Sequence, residues 1–149
     1  MIQHIPLEKI LFLDIETVPQ AGNWEELHET DQYLWDKKTR MQRKEDVTSQ
    51  EFYNERGGIM AEFGKIICIS VGILEKSEKL MIKSFSGDDE RKLLEEFGEI
   101  FNHPKLHDVI LCAHIGKEFD FLWIARRFLI NGMQQPKPFQ MFGKKPWEI

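Results

Sequence analysis

The sequence lacks the features that mark secreted, membrane-spanning or strongly basic proteins. It holds two cysteines, and its N-terminus, MIQHIPLEKI, has neither the basic start nor the long apolar stretch of a secretory signal. No apolar run approaches the roughly 20 residues that span a bilayer. Asp and Glu outnumber Lys and Arg by 25 to 20, so no global positive field marks a nucleic-acid binder. We therefore expect a reduced, cytoplasmic protein without a membrane partner, which would hold any polyanionic substrate locally.

The length and cysteine positions predict one domain with reduced thiols. At 149 residues, 42% of them hydrophobic, the chain is long enough for one good core. We predict a single domain over residues 1–149. Cys68 and Cys112 both fall in apolar, β-branched runs, where cysteine usually behaves as a small core residue. A disulfide between them is not expected, because no secretory signal accompanies the pair.

The first half of the chain reads as a strand, a helical insert and a hairpin. The apolar run KILFLDIE at 9–16 is typical of a strand buried on both faces. A polar, helical insert is predicted over about 20–58, where Thr48 and Glu51 form a capping box. Its charged stretch DKKTRMQRKED is typical of a solvated helix face or loop. From Gly64, KIICISVGIL and KLMIKSF predict a hairpin.

The second half predicts helix, strand and helix. Ser86 and Asp89 offer a capping box for a helix with one apolar stripe. Residues 108–113, DVILCA, read as a second fully buried strand. A helix is predicted over 117–130, with Gly132 past its end. The stripe residues of the two helices are Leu93, Leu94, Phe97, Ile100 and Phe101, then Phe121, Leu122, Ala125, Phe128 and Leu129.

Two acids in the first strand are the sharpest chemical feature. Asp14 and Glu16 are separated by one residue, so both carboxylates project from the same side of the strand, about 7 Å apart at the backbone. Burying two like charges costs several kcal/mol unless a cation neutralises them, and hard oxygen ligands suit Mg²⁺ or Mn²⁺. The alternative is that both acids lie in water at a fraying strand end. The pair alone does not decide between the two.

A third acid, Asp120, opens the last predicted helix. Strand ends of an open α/β sheet share one crevice, so Asp120 could approach Asp14 and Glu16. The alternative is that Asp120 only complements the helix dipole, which is worth about 0.3 to 1 kcal/mol.

Two segments together resemble the DEDD superfamily of 3′-to-5′ exonucleases. FLDIETVP is similar to the first exonuclease motif, and AHIGKEFDFLWIARR is similar to the second, in which Phe-Asp opens a helix. EFGKIICISVG and GKKPWEI resemble the branch related to the proofreading domain of family B DNA polymerases. The resemblance implies a ribonuclease-H-like α/β fold. In that fold a mixed central sheet is flanked by helices, with three antiparallel strands first and then a parallel one.

The resemblance also implies roles for the three acids. Two Mg²⁺ or Mn²⁺ ions would straddle the scissile phosphate about 3.5 to 4 Å apart. Asp14 would contact both ions, Glu16 the ion on the nucleophile side, and Asp120 the other ion through water. The substrate would be the 3′ end of single-stranded DNA, or of RNA.

Other residues are candidates for contacts with this substrate. By resemblance, Ile15, Thr17 and Val18 match positions near the terminal nucleotide. Phe119 could stack on a base, although core packing is the simpler role. His114 matches a structural position, with the alternative that it substitutes as the base. Arg127, two turns after Asp120, could steady a phosphate. The sequence indicates no oligomeric state.

The sequence departs from the family pattern in two places. Ile115 stands where many relatives have an asparagine after the histidine, which weakens one predicted substrate contact. The third motif is absent, because no Tyr follows Tyr53 and no Asp follows Asp120. By resemblance, the last strand and helix are missing from a shortened domain. We expect a metal-dependent exonuclease with weak or no activity in this form, because the fourth carboxylate and the general base are lost.

Two other functions remain open from the sequence. The first is a binding module that grips nucleic acid or protein without cutting it. The second is a ribonuclease-H-like endonuclease or transposase, which the GKEFD segment disfavours.

Overall fold

The element order matches the order predicted from the hydrophobic pattern. The computed structural model describes residues 5–75 and 79–144. Within those residues, short 3₁₀ helices connect four strands and four longer helices. The strands are β1 (Ile10–Pro19), β2 (Gly64–Leu74), β3 (Leu80–Ser86) and β4 (Ile110–Cys112). The helices are α1 (Glu29–Thr39), α2 (Ser49–Arg56), α3 (Glu90–Glu99) and α4 (Asp120–Ile130). No helix of the described residues is both long and apolar enough to cross a membrane.

The strands form one mixed sheet in the order β3-β2-β1-β4. β1 and β4 pair in parallel, from Ile10 opposite Ile110 to Phe12 opposite Cys112. β2 and β3 form the antiparallel hairpin that the two apolar runs predict, with Ile69 opposite Phe85. The prediction of a mixed α/β sheet with helices is therefore confirmed.

The chain divides into two compact units, which are described separately. The first unit comprises the described parts of Met1–Glu16 and Ile66–Ile149. Phe97 of α3 is fully buried near the middle of its core, and its ring centroid lies 5.8 Å from that of Phe85 and 5.7 Å from that of Phe139. This core is built by the apolar stripe of α3, as the helical spacing predicts.

The second unit, Thr17–Lys65, contains the predicted insert at 20–58. Its core forms around the fully buried Trp35, whose ring meets Tyr53 and Phe63 edge-on at 5.2 and 5.1 Å. The capping box at the start of α2 is confirmed, because the side chains of Thr48 and Glu51 each accept a hydrogen bond from the other's backbone N–H. The insert therefore folds around its own aromatic core.

Burial of the strands differs from the prediction. β1 alternates from Leu11 onward, with Leu13 and Ile15 buried and Phe12, Asp14 and Glu16 exposed. The prediction of a strand buried on both faces is therefore wrong. β4 is also not fully buried: it is three residues long and lies at the sheet edge, with Ile110 and Cys112 exposed. Burial in the core was predicted for both cysteines, but Cys112 is exposed and Cys68 is half-buried, and both are free thiols. The apolar runs predicted the positions of these strands correctly, but they could not predict that one face of the sheet is exposed to solvent.

Two helix boundaries also differ from the prediction. α3 begins at Glu90, and the side chain of Asp89 accepts the N–H of Lys92 at 3.1 Å. Ser86 instead ends β3, so the Ser86 capping box is wrong. α4 begins at Asp120 rather than 117, and Leu129 faces solvent rather than the core. Gly132 has a φ of 66° just past the end of α4, where a left-handed residue closes a helix and where glycine is favoured.

Candidate active site

The first strand presents its two acids on one open face. Asp14 and Glu16 alternate with the buried Leu13 and Ile15, so both carboxylates project to solvent from the same side of β1. This shared side is the arrangement that the spacing predicts. Both oxygen donor groups are accessible to an ion or a substrate from solution.

The third acid is buried against the same strand. Asp120 is the first residue of α4, and only 4% of it is exposed. Burial raises the pKa of the Asp120 carboxyl above its usual range, and the negative charge of Asp14 raises it further. Hydrogen bonds from the backbone of Asp120 itself, and from that of Ile15 and Ile115, act in the opposite direction. These interactions place the Asp120 carboxyl beside the stretch of β1 that carries Asp14.

A tight turn before α4 sets the position of Asp120. The carbonyl of Ile115 accepts the N–H groups of Glu118 and Phe119 at 3.1 and 2.9 Å, which folds the chain back before the helix begins. Gly116 is required in this turn, since a Cβ there would lie 2.4 Å from the ring of Phe121. Sequence reasoning missed Gly116. The available signal was a glycine four residues before a helix-opening acid.

The other predicted contact residues lie in different surroundings. Ile15 is buried, whereas His114 is exposed. Thr17 and Val18 are half-buried in the second unit, where the Thr17 hydroxyl donates to the carbonyl of Gly58 at 2.6 Å. Phe119 is half-buried, and its ring centroid lies 5.8 Å from that of Trp123 in the same helix. Of these five residues, His114 is the one that is exposed to solvent.

Arg127 does not have the exposed position that a phosphate contact requires. Its guanidinium is buried and pairs with Glu90 of α3, with Nε 2.9 Å from Oε1 and Nη2 2.5 Å from Oε2. Glu90 also accepts the N–H of Ile66 at 2.7 Å and the amide of Asn131 at 3.0 Å. The phosphate role predicted for Arg127 is therefore wrong, because its charge is used to join α4 to α3.

The three acids fit a divalent cation in ligand type. Carboxylate oxygens are the ligands that Mg²⁺ and Mn²⁺ prefer, and a cation would relieve the repulsion that Asp14 exerts on Asp120. Over residues 5–75 and 79–144, no three His, Cys, Asp or Glu side chains converge into a ready metal-binding group. Glu16 and Asp14 project outward while Asp120 is enclosed, so the three share a region without forming a closed ligand shell.

An apolar groove borders the acids on the open face of the sheet. Its volume is about 390 Å³. It runs from Asp14 past Phe12 and Gly72 to the exposed Leu80 and Ile82 at the sheet edge. A polar ligand held at Asp14 would therefore have apolar surface beside it.

Replacing Asp120 by asparagine should change how stability depends on pH in metal-free protein. Because the folded-state pKa is raised, the folded protein keeps this proton over a range in which the unfolded chain has lost it. Stability is therefore lost as pH rises from the unfolded pKa through the folded pKa. We expect D120N to lose less stability than the wild type as pH rises above about 4, the ordinary pKa of an aspartate in the unfolded chain.

Denaturant unfolding in EDTA at a series of pH values measures this difference. Glu118→Gln, which changes an exposed acid nearby, is the matched control and should follow the wild type. Identical pH dependence in D120N and the wild type would contradict the burial of an ionisable Asp120.

The site therefore combines two exposed carboxylates on β1 with one buried carboxyl at the start of α4. Its apolar border and its turn are built by residues of the same unit. Comparison of the chain with protein-family models, with curated proteins and with solved structures found no match.

Proposed function

We propose that this chain carries the acids of a metal-dependent 3′-to-5′ exonuclease that acts on single-stranded DNA ends. The observation that carries the proposal is the burial of Asp120 beside Asp14, with Glu16 on the same face of β1. A buried acid next to a second acid is costly unless the pair serves a charged ligand. An exposed pair at a fraying strand end would not include a third, enclosed carboxyl.

The sheet supports the ribonuclease-H-like part of the proposal. Its order, β3-β2-β1-β4, places β1 inside the sheet with β4 parallel to it and a β2–β3 hairpin on the other side. This is the arrangement that the resemblance to the exonuclease superfamily implies for the first four strands. Asp14 and Glu16 lie on β1 just past Phe12, the last residue that pairs with β4, and there the backbone of Ile15 hydrogen-bonds to the Asp120 carboxyl.

The chain's own residues would act by binding and positioning. Asp14 and Glu16 would bind Mg²⁺ or Mn²⁺ from the solvent-exposed side. The buried Asp120 would add a third negative charge next to the ions. When bound, such ions activate water and stabilise the leaving 3′ oxygen. The backbone N–H groups around Asp120 fix its carboxyl, so it would not need to reorganise when a substrate binds. The groove beside Asp14 offers apolar surface to the terminal base.

Hydrolysis by these 149 residues should be slow. No Tyr follows Tyr53 and no Asp follows Asp120, so the sequence supplies neither the fourth carboxylate nor the water-orienting group of the third motif. The second candidate is a binding module that holds nucleic acid or protein without cutting it. The two candidates differ in whether DNA is shortened at all.

Cleavage of linear and circular single-stranded DNA tests the proposal. With Mn²⁺ present, a linear oligonucleotide labelled at its 5′ end should shorten stepwise from the 3′ end, while a circle of the same sequence stays intact. Equal cleavage of the circle would indicate an endonuclease and exclude the exonuclease. Binding of the linear strand with no shortening, at high protein concentration and long times, would favour the binding module.

A further inference from the structure

One face of α1 and the turn after it carries exposed cations in a chain whose net charge is -5. We define the α1 basic stripe as Tyr33, Lys37, Arg40 and Met41, which follow one another at helical spacing, together with Lys44 just after the turn. All five are exposed, Tyr33 by 64% and Met41 by 93%. The helical path continues past Thr39, because the N–H of Arg43 still bonds to the Thr39 carbonyl at 3.1 Å.

The cations of the stripe form no ion pair with an acid in the part of the chain that the structure describes. Of the basic residues at 37–44, Lys38 pairs with Glu62 at 2.9 Å and Arg43 pairs with Asp36 at 2.5 Å. Within residues 5–75 and 79–144, no carboxylate lies within ion-pair distance of the side chains of Lys37, Arg40 and Lys44. The stripe ends where Glu45 and Asp46 follow. Lys37, Arg40 and Lys44 are therefore exposed to an approaching anion, although the Arg40 charge also lowers the pKa of Asp36.

The opposite face of α1 holds the stripe in place. Trp35 and Thr39 are fully buried, and the Trp35 indole donates to the carbonyl of Ser49 at 3.0 Å. Asp36, Arg43 and Ser49 are joined by short hydrogen bonds that tie the turn to the start of α2. The helix is therefore anchored through one face and presents the other at fixed spacing.

We propose that the α1 basic stripe binds the backbone of single-stranded nucleic acid, with Tyr33 stacking on a base. The inference deepens the proposed function by adding a substrate contact outside the acids. Proteins that bind single strands combine cations that follow the phosphates with aromatic rings that stack on bases. From Tyr33 to Arg40 the stripe runs for about 10 Å at 1.5 Å per helical residue, enough for at least one nucleotide step, and Lys44 lies beyond the helical turn.

A membrane surface fits the same face less well. A helix that lies in a membrane interface needs a broad apolar side to insert. Here Leu34 and Met41 are exposed, but the large apolar side chain of the helix, Trp35, is used in the core. An aromatic ring beside spaced cations matches nucleic acid better than lipid.

Oligonucleotide binding in EDTA tests the stripe without cleavage. Fluorescence anisotropy with a labelled oligo(dT) should show a salt dependence of the binding constant that weakens in K37Q/R40Q/K44Q. The slope of log K against log salt should fall by about 2, since each phosphate contact on a single strand contributes about 0.7. The matched control K79Q/K92Q/K105Q removes the same charge from exposed lysines elsewhere and should keep most of the slope. Circular dichroism checks that both variants fold.

Tyr33 separates stacking from simple charge attraction. Y33A should weaken binding by about fivefold or more, whereas Y33F should bind like the wild type. Equal losses in the two triple variants, or no measurable wild-type binding at low salt, would overturn the proposal. So would a stripe variant that loses binding to phosphatidylserine vesicles while its DNA affinity is unchanged.

Different measurements would contradict the proposal for the acids and the proposal for the stripe. If the stripe is the contact, Asp14→Asn in EDTA should bind the oligonucleotide at least as tightly as the wild type, because the change removes a negative charge. Loss of Mn²⁺-dependent cleavage in that variant, with binding retained, supports both proposals. If a stripe variant binds like the wild type, the proposal for the stripe is contradicted, while the proposal for the three acids is not tested by that result.

Discussion

Replacing Asp14 by asparagine should abolish Mn²⁺ binding and slow any 3′-end hydrolysis by more than about 100-fold. Changing a residue that merely orients a metal ligand costs about 10- to 100-fold in metal affinity or activity, so loss of a ligand itself should cost more. The negative charge of Asp14 also raises the pKa of Asp120, and the Asp14 side chain is exposed on β1 beside Glu16. Asparagine keeps the shape of the side chain and removes its charge.

Calorimetry with Mn²⁺ measures this effect without relying on turnover. The wild type should release or absorb heat on titration, and Asp14→Asn should not. Asp88→Asn removes one exposed acid from a loop of the same unit and should bind Mn²⁺ like the wild type. Equal heats for the wild type and Asp14→Asn would remove the metal site from the proposal.

Replacing Arg127 by alanine should lower the free energy of unfolding by about 3 to 5 kcal/mol. The change leaves the buried Glu90 carboxylate without its cation, and an unpaired charge in a protein interior is strongly unfavourable. The backbone N–H of Ile66 and the amide of Asn131 still bond to Glu90, but neither carries a compensating charge. The effect should therefore be much larger than that of a surface ion pair.

Denaturant unfolding of Arg127→Ala beside an exposed-pair control measures the difference. Glu95→Gln breaks the exposed pair of Arg91 and Glu95, which lie 3.1 Å apart, and should cost less than about 0.5 kcal/mol. The double variant E90L/R127M should recover part of the lost stability, because a buried pair replaced by apolar groups no longer leaves a charge unpaired. If Arg127→Ala were no less stable than Glu95→Gln, the pair would not be buried as described.

Local patterns predicted the elements well because each pattern reflects chemistry close in sequence. The Thr48 and Glu51 capping box and the β2–β3 hairpin depend on neighbours only a few residues away. The same is true of the shared side of Asp14 and Glu16, since strand geometry alone sets it. Predicting these features does not require knowing which residues pack against them.

Burial could not be predicted from the same patterns. Leu129 and Cys112 have apolar neighbours in sequence, yet both face solvent, because exposure depends on which parts of the chain cover them. Arg127 was expected to meet a phosphate, but Glu90, 37 residues away along the chain, takes its charge. Sequence patterns that span a few residues cannot predict an ion-pair partner at that distance.

The sequence by itself determined the elements, their order and the two acids on one side of β1. The place of Asp120 at the start of the last predicted helix, together with the resemblance to an exonuclease superfamily, made it the third candidate. Only the tertiary structure decided that Asp120 is enclosed beside Asp14, that one sheet face is open, and that Arg127 is structural. The reason is physical: geometry along a strand or helix is set by bonds and hydrogen bonds within a few residues. Solvent exposure and charge pairing are instead set by residues that the fold brings together from distant positions.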